Sequence, residues 1–140
     1  KNENFFLTYG DGLSNINLKK LLNFHIKNKK IFTLTAVHPP ARFGEITIKK
    51  KNVKKFQEKP QLVQGWINGG FFVCQPKVFN YIAGDATVFE QEPLNELVKD
   101  KEMLAWKHQG FWGCMDTLRD KNYLNELWET GAAPWKTWED

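Results

Sequence analysis

Residues 5–38 read FFLTYGDGLSNINLKKLLNFHIKNKKIFTLTAVH, and three local signals follow one another along them. Phe5-Phe6-Leu7 running into Thr8 is a short apolar run of the kind that makes a buried strand. Leu18, Leu21, Leu22 and His25 then recur at helical spacing with lysines opposite, which predicts an amphipathic helix within residues 17–30 and puts His25 on its flank. Phe32, Leu34 and Ala36 alternate with Thr33, Thr35 and Val37 until Pro39-Pro40 stops the strand. Residues 5–38 are therefore expected to form one βαβ unit, with parallel strands and a right-handed crossover. Gly10-Asp11-Gly12 stands where the first strand ends. The glycines permit a sharp turn and a close approach. Asp11 is either a turn former or a ligand-facing carboxylate at the carboxyl end of a strand, where open α/β sheets bind their ligands.

Further along, the pattern changes. FGEITIKKKNVKKFQEKP (43–60) alternates at Ile46 and Ile48, turns near Asn52 and returns through Val53 and Phe56, as a β-hairpin does. GWINGGFFVCQP (65–76) reads as another strand, whose Gly69-Gly70 marks close approach of a ligand or of another backbone. Pro76 opens a turn or short helix to Tyr81. Thr87 and Glu90 have capping-box spacing, while Pro93 places the regular helix nearer to itself, with Leu94, Leu97 and Val98 as its buried face. Met103 to His108 is a strand. Asp116 and Thr117 then open a helix with an apolar face at Leu118, Leu124, Leu127 and Trp128 and a stop at Gly131. Trp135 and Trp138 are expected to pack on the domain or on a neighbouring subunit. The expected fold is α/β: a Rossmann-like mixed sheet with a β-hairpin insertion. A free edge on the first strand and a start almost inside that strand point to part of a larger domain, with all of 1–140 in it.

The composition narrows the function. Of 140 residues, 41% are hydrophobic and 14% aromatic, enough for a real core and unlike a disordered tail. The net charge of +4 suits anionic small molecules. Its densest cluster, Lys49-Lys50-Lys51 with Lys54-Lys55, brackets the hairpin turn and reads as a solvated tip, so nucleic acid is not an expected partner. Cys74 and Cys114 lack metal-site spacing and read as reduced thiols. No window approaches the length of a membrane span and no secretory leader is visible, so a cytoplasmic protein without a membrane partner is expected.

Asp11 and Asp116 each follow a strand, and their loops can converge at one edge of the sheet. Two carboxylates brought together repel, and a shared divalent cation relieves them. Oxygen ligands without His or Cys favour Mg²⁺. Asp116 reads equally as a helix-start residue favoured by the helix dipole. Glu58 and Lys59, fixed by Pro60, offer a hydroxyl acceptor and a phosphate partner, or an exposed ion pair. Asn68 beside two glycines offers an amide that donates and accepts, together with bare backbone, which suits a polyol.

TYGDG (8–12), ARFGEI (41–46), FQEKP (56–60), WINGGFFV (66–73) and FWGCMDTLRD (111–120) occur in one order and spacing. In these the chain resembles the sugar-1-phosphate nucleotidylyltransferases over essentially its whole length. WINGGFFV with MDTLRDK and the late APWKTW (133–138) is similar to the cytidylyl branch. The resemblance implies transfer from CTP to α-D-glucose 1-phosphate, giving CDP-glucose and pyrophosphate for nucleotide-sugar and surface-polysaccharide biosynthesis. It implies Mg²⁺ on Asp11 and Asp116, Lys59 on the sugar's phosphate, and Glu58 on sugar hydroxyls. Asn68 and Gly69 would line the sugar pocket and Gly44 would let backbone approach the hexose. Tyr9 and Gly10 would lie beside nucleotide and metal, with Thr117 near them. It also implies a homo-oligomer. The family's Gly-rich phosphate loop with its Arg has no counterpart in this sequence, so the expected share is the sugar-and-metal side of the domain. Use of UTP or dTTP, and a non-catalytic sugar-phosphate-binding or subunit-interaction module, are the alternative expectations.

Overall fold

The computed structural model describes residues 3–39 and 65–139, together with the backbone of two hairpin strands between them. Strand β1 is Phe5–Thr8 and β2 Gly12–Ser14; helix α1 is Leu18–Asn28, followed by β3, Phe32–Val37. The hairpin is β4, Glu45–Lys49, and β5, Asn52–Gln57. Then come β6, Ile67–Cys74, a 3₁₀ turn over Pro76–Tyr81, α2, Glu92–Lys99, β7, Met103–Lys107, β8, Trp112–Cys114, and α3, Leu118–Glu129.

The main sheet has four strands in the order β1-β6-β3-β7. β6 runs antiparallel to both β1 and β3, and β3 runs parallel to β7. β1 and β3 therefore point the same way, as a βαβ reading requires, but they are not neighbours. β6 lies between them, with Phe72 opposite Leu7 on one side and Leu34 on the other. A local pattern reports strand direction through the crossover helix and carries no information about a strand inserted from further along the chain. Among the described residues β1 is an edge, as expected. β2 and β8 form a separate antiparallel ladder. In the hairpin Lys49 stands opposite Asn52, so Asn52 opens the returning strand and does not make the turn.

The core gathers Ile31, Phe32, Phe72, Cys74, Val78 and Leu97. The rings of Phe32 and Phe72 lie 5.0 Å apart. Helix α1 begins where Asn17 accepts a hydrogen bond from the Lys20 amide at 3.0 Å. It buries Leu21 and His25. His25 is thus a core residue, 1% exposed, and not a flank residue. A threonine on the facing strand makes this tolerable: Thr33 Oγ1 lies 2.7 Å from His25 Nδ1.

Three other expectations are corrected. Thr87 does not cap α2; its hydroxyl accepts from the Gly84 amide at 3.1 Å and closes a turn. Helix α2 starts instead at Glu92 with Pro93 in its first turn, as Pro93 suggested. It buries Pro93 and Leu97 and leaves Val98 59% exposed. In α3 only Leu124 is fully buried, while Leu118 is 69% exposed. Trp128 is covered in part by Trp135, stacked at 6.4 Å, and Trp135 also leans on Phe111 at 5.8 Å. Gly131 has φ +76°, the left-handed residue expected just past the helix end.

Candidate active site

The site forms where the main sheet meets the β2–β8 ladder. After β1 the Tyr9 amide donates to the Gly70 carbonyl at 3.0 Å, so the chain leaves the sheet alongside β6. Gly10 and Asp11 turn it into β2. The β2–β8 register sets Gly12 opposite Cys114, and the Met115 amide donates to the Asp11 carbonyl at 2.8 Å. Asp11 and Asp116 therefore stand at the same end of one ladder, a single register step apart. This is the convergence the sequence suggested.

Asp116 directly precedes the N-cap of α3, and its carboxylate is not the cap. The N-cap of α3 is Thr117, whose Oγ1 accepts from the Asp120 amide at 3.1 Å. Asp120 Oδ2 accepts in return from the Thr117 and Asp116 amides at 3.2 and 3.1 Å. The capping box is complete without the Asp116 carboxylate. That carboxylate accepts from the Cys114 thiol at 3.3 Å. Asp11 is exposed, and among the described residues its carboxylate makes no turn-closing hydrogen bond.

Two pins join this edge to β6. Trp112 Nε1 donates to the Gly69 carbonyl at 2.8 Å. Asn68 Nδ2 donates to the Tyr9 hydroxyl at 3.4 Å, and Asn68 Oδ1 accepts from the Gly70 amide at 2.9 Å. The two glycines serve different purposes. A Cβ on Gly69 would lie 3.0 Å from Val37 Cγ1 and 3.1 Å from the Thr35 carbonyl, so this position makes room for β3. Gly70 has φ +79°, and a Cβ there would lie 2.8 Å from the Tyr9 ring. The Tyr9 ring meets Phe72 edge-on, with centroids 5.2 Å apart. Burial, then the nearby Glu90 carboxylate and, more weakly, Asp11 push the Tyr9 hydroxyl up to about 12, against the pull of Asn68. Tyr9 is a neutral hydrogen-bonding group at pH 7.

The structure thus brings together Tyr9, Gly10, Asp11, Asn68, Gly69, Asp116 and Thr117. Gly44, Glu58 and Lys59 lie outside the described residues. Three participants escaped the sequence reading of the site. Gly70 was visible as the second glycine of the pair. Trp112 carries an indole N–H that must find an acceptor once half-buried. Glu90 drew notice only for its capping-box spacing from Thr87. Among the described residues no group of three or more His, Cys, Asp or Glu could hold a metal. Two exposed carboxylates fit Mg²⁺, which keeps several waters and completes its shell with substrate phosphate.

The chain is a member of the nucleotidyl transferase family, whose family model matches residues 1–139. Among its relatives is glucose-1-phosphate cytidylyltransferase of Salmonella typhimurium, 53% identical over 137 residues, which cover 98% of this chain and 53% of that protein. The beta catalytic subunit of mannose-1-phosphate guanylyltransferase of Drosophila melanogaster is 32% identical over 129 residues, 89% of this chain and 34% of that protein. This chain spans about half the length of the Salmonella relative. The structure of HddC from Yersinia pseudotuberculosis shares the fold with a TM-score of 0.62 at 19% identity, covering 89% of this chain and 55% of that one.

Proposed function

We propose that this chain supplies the sugar-phosphate and metal side of a glucose-1-phosphate cytidylyltransferase, which moves the cytidylyl group of CTP onto α-D-glucose 1-phosphate and releases pyrophosphate. The observation that carries the reading is the β2–β8 register, which brings Asp11 and Asp116 to one ladder end, with Asn68 bonded to Tyr9 two residues before Asp11. The high identity to the Salmonella enzyme supports the choice of nucleotide and sugar. Asp11 and Asp116 would hold Mg²⁺, which when bound offsets the charge of the triphosphate. The reaction is an in-line attack of a sugar-phosphate oxygen on the α-phosphorus, so the protein's work is placement and charge neutralisation. Lys59 pairs with the sugar's phosphate and Glu58 accepts from a sugar hydroxyl. Asn68 has one amide N–H and one lone pair left after its two internal bonds, a donor and an acceptor for a hexose. Gly44 and Gly69 keep backbone close to the sugar, and Tyr9 and Gly10 border the nucleotide and metal. Thr117 holds the start of α3 beside them. The enzyme works in the cytoplasm as a homo-oligomer in this reading. Among the described residues no helix is long and apolar enough to cross a membrane.

The test is pyrophosphate release by the purified chain with glucose 1-phosphate, Mg²⁺ and CTP, with UTP and dTTP in parallel, beside calorimetric titration of glucose 1-phosphate. Preferential turnover with CTP is expected. Faster turnover with UTP or dTTP would overturn the base assignment. Sugar-phosphate binding without turnover would make the chain a binding module. A folded chain that does not bind glucose 1-phosphate would overturn the reading.

A further inference from the structure

Strand β6 is irregular where it passes the site. Leu34 of β3 stands opposite Phe72 and Ala36 opposite Asn68, so the one residue between them on β3, Thr35, faces three on β6: Gly69, Gly70 and Phe71. Such a bulge leaves backbone groups without a ladder partner and re-aims the side chains beside it. Gly69 is buried there, and its carbonyl needs a donor. The donor comes from the other ladder: Trp112 Nε1 lies 2.8 Å from that oxygen. The fit is close, because a Cβ at Gly12, on the strand that pairs with β8, would lie 3.7 Å from the same oxygen and 3.9 Å from Nε1. On its other side Gly69 is stopped by β3, where Val37 and the Thr35 carbonyl leave no room for a Cβ. Asn68 adjoins the bulge, and its Oδ1 accepts from the Gly70 amide inside it at 2.9 Å. Trp112 opens β8, the strand that leads to Asp116.

We propose that Trp112 is a positioning residue of the sugar pocket: its indole N–H ties the β6 bulge to the strand that leads to Asp116, and so fixes the aim of the Asn68 amide and its span to the carboxylate ladder. This rests on the sugar-pocket reading of Asn68. The physical reason is that the bulge has no ladder of its own to hold it. Without the indole N–H the Gly69 carbonyl must find water, and the Gly69-Gly70 segment, whose glycines resist little, turns to reach it. The Gly70 amide that anchors Asn68 Oδ1 turns with it. An aromatic ring without the N–H still fills the space and leaves the carbonyl unpaired, so the hydrogen bond and not the bulk carries the role.

Glucose 1-phosphate is titrated by calorimetry into the purified wild-type chain, Trp112→Phe and Trp112→His, at about pH 8, where imidazole is neutral, and at a temperature where circular dichroism shows each folded. Backbone hydrogen exchange is followed in the same samples. Histidine keeps an N–H at the ring position of the indole Nε1. Trp112→Phe is expected to weaken glucose 1-phosphate by about tenfold, the loss of roughly one hydrogen bond. It is also expected to speed exchange of the Gly70 amide by more than that of Val73, which is buried in the same strand and follows overall stability. Trp112→His is expected to stay within about threefold of wild type in affinity. A Gly70 amide that speeds up no more than Val73 in Trp112→Phe overturns the proposal, whatever the affinity. Equal weakening by the two variants overturns it as well, since bulk would then be the cause. A wild-type chain that protects Gly70 and has no affinity for glucose 1-phosphate overturns the sugar-pocket reading, and with it the role assigned to Trp112.

Discussion

Replacing Gly70 with alanine strikes the junction of β1, β6 and the site at one atom. At φ +79° an L side chain is strained, at a cost of about 1–2 kcal/mol. The new Cβ would lie 2.8 Å from Tyr9 Cδ2 and 3.3 Å from Cγ. These are atoms of a half-buried ring seated on Phe72, not the loose end of a flexible chain. Either the ring moves away from Asn68 and Glu90, or β6 shifts against β3, and overpacking of this kind costs about 1–3 kcal/mol. Together the terms predict a loss of about 2–5 kcal/mol, a large share of the ~5–15 kcal/mol that holds a domain folded. Urea unfolding followed by circular dichroism measures it, with Gly84→Ala as the control. A Cβ at Gly84 meets nothing within 4 Å. The control is expected within about 0.5 kcal/mol of wild type, and Gly70→Ala about 1–2 M lower in urea midpoint. Equal midpoints for the two variants would refute the reasoning.

Burial holds the His25 pKa below its ordinary 6.5, and burial does the same at His108, opposed in part by the Phe111 carbonyl. The unfolded chain therefore takes up protons that the folded one refuses as pH drops below about 6.5, and stability falls on acidification by at most ~1.4 kcal/mol per pH unit for each histidine. Urea midpoints at pH 7.5 and 5.5 should show the drop, reduced in His25→Gln; an undiminished drop in that variant would remove His25 as its source. Trp112→Phe loses the hydrogen bond to Gly69, and by leaving that carbonyl unpaired should cost about 1–3 kcal/mol; a thermal melt unchanged by the substitution would show that the pin between the two sheets carries no weight. In an enzyme active for the proposed reaction, Asp116→Asn should cut turnover steeply, while Lys59→Ala should chiefly raise the KM for glucose 1-phosphate. Equal effects of both variants on both parameters would contradict the separate roles.

Periodicity made much of the fold legible. The alternation of Phe32, Leu34 and Ala36 and the helical spacing of Leu18, Leu21 and Leu22 each marked an element the structure contains. Pairing was not legible, because the position of β6 between β1 and β3 depends on contacts far apart in sequence. His25 was misplaced because burial of a polar side chain depends on a partner, Thr33, that lies on another element. Val98 and Leu118 were misplaced for the opposite reason: apolar residues at helical spacing need an element to cover them. At the site the motifs named Asp11, Asp116 and Asn68, on segments that the fold brings near one another. What they left out was the supporting pair of Gly70 and Trp112, whose meaning comes from who touches whom.

The place of β6 also dictates when the sheet exists. β1 and β3 have no hydrogen-bonded ladder with each other, and both must wait for a strand that ends 37 residues after Val37, at Cys74. At a ribosome's ~5–20 residues per second that interval is about 2–7 s. Through it the emerging chain carries Phe5, Phe6, Phe32 and Leu34 on two strands that the strand between them does not yet join. The arrival of the antiparallel strand is thus the event that first ties β1 to β3 during synthesis.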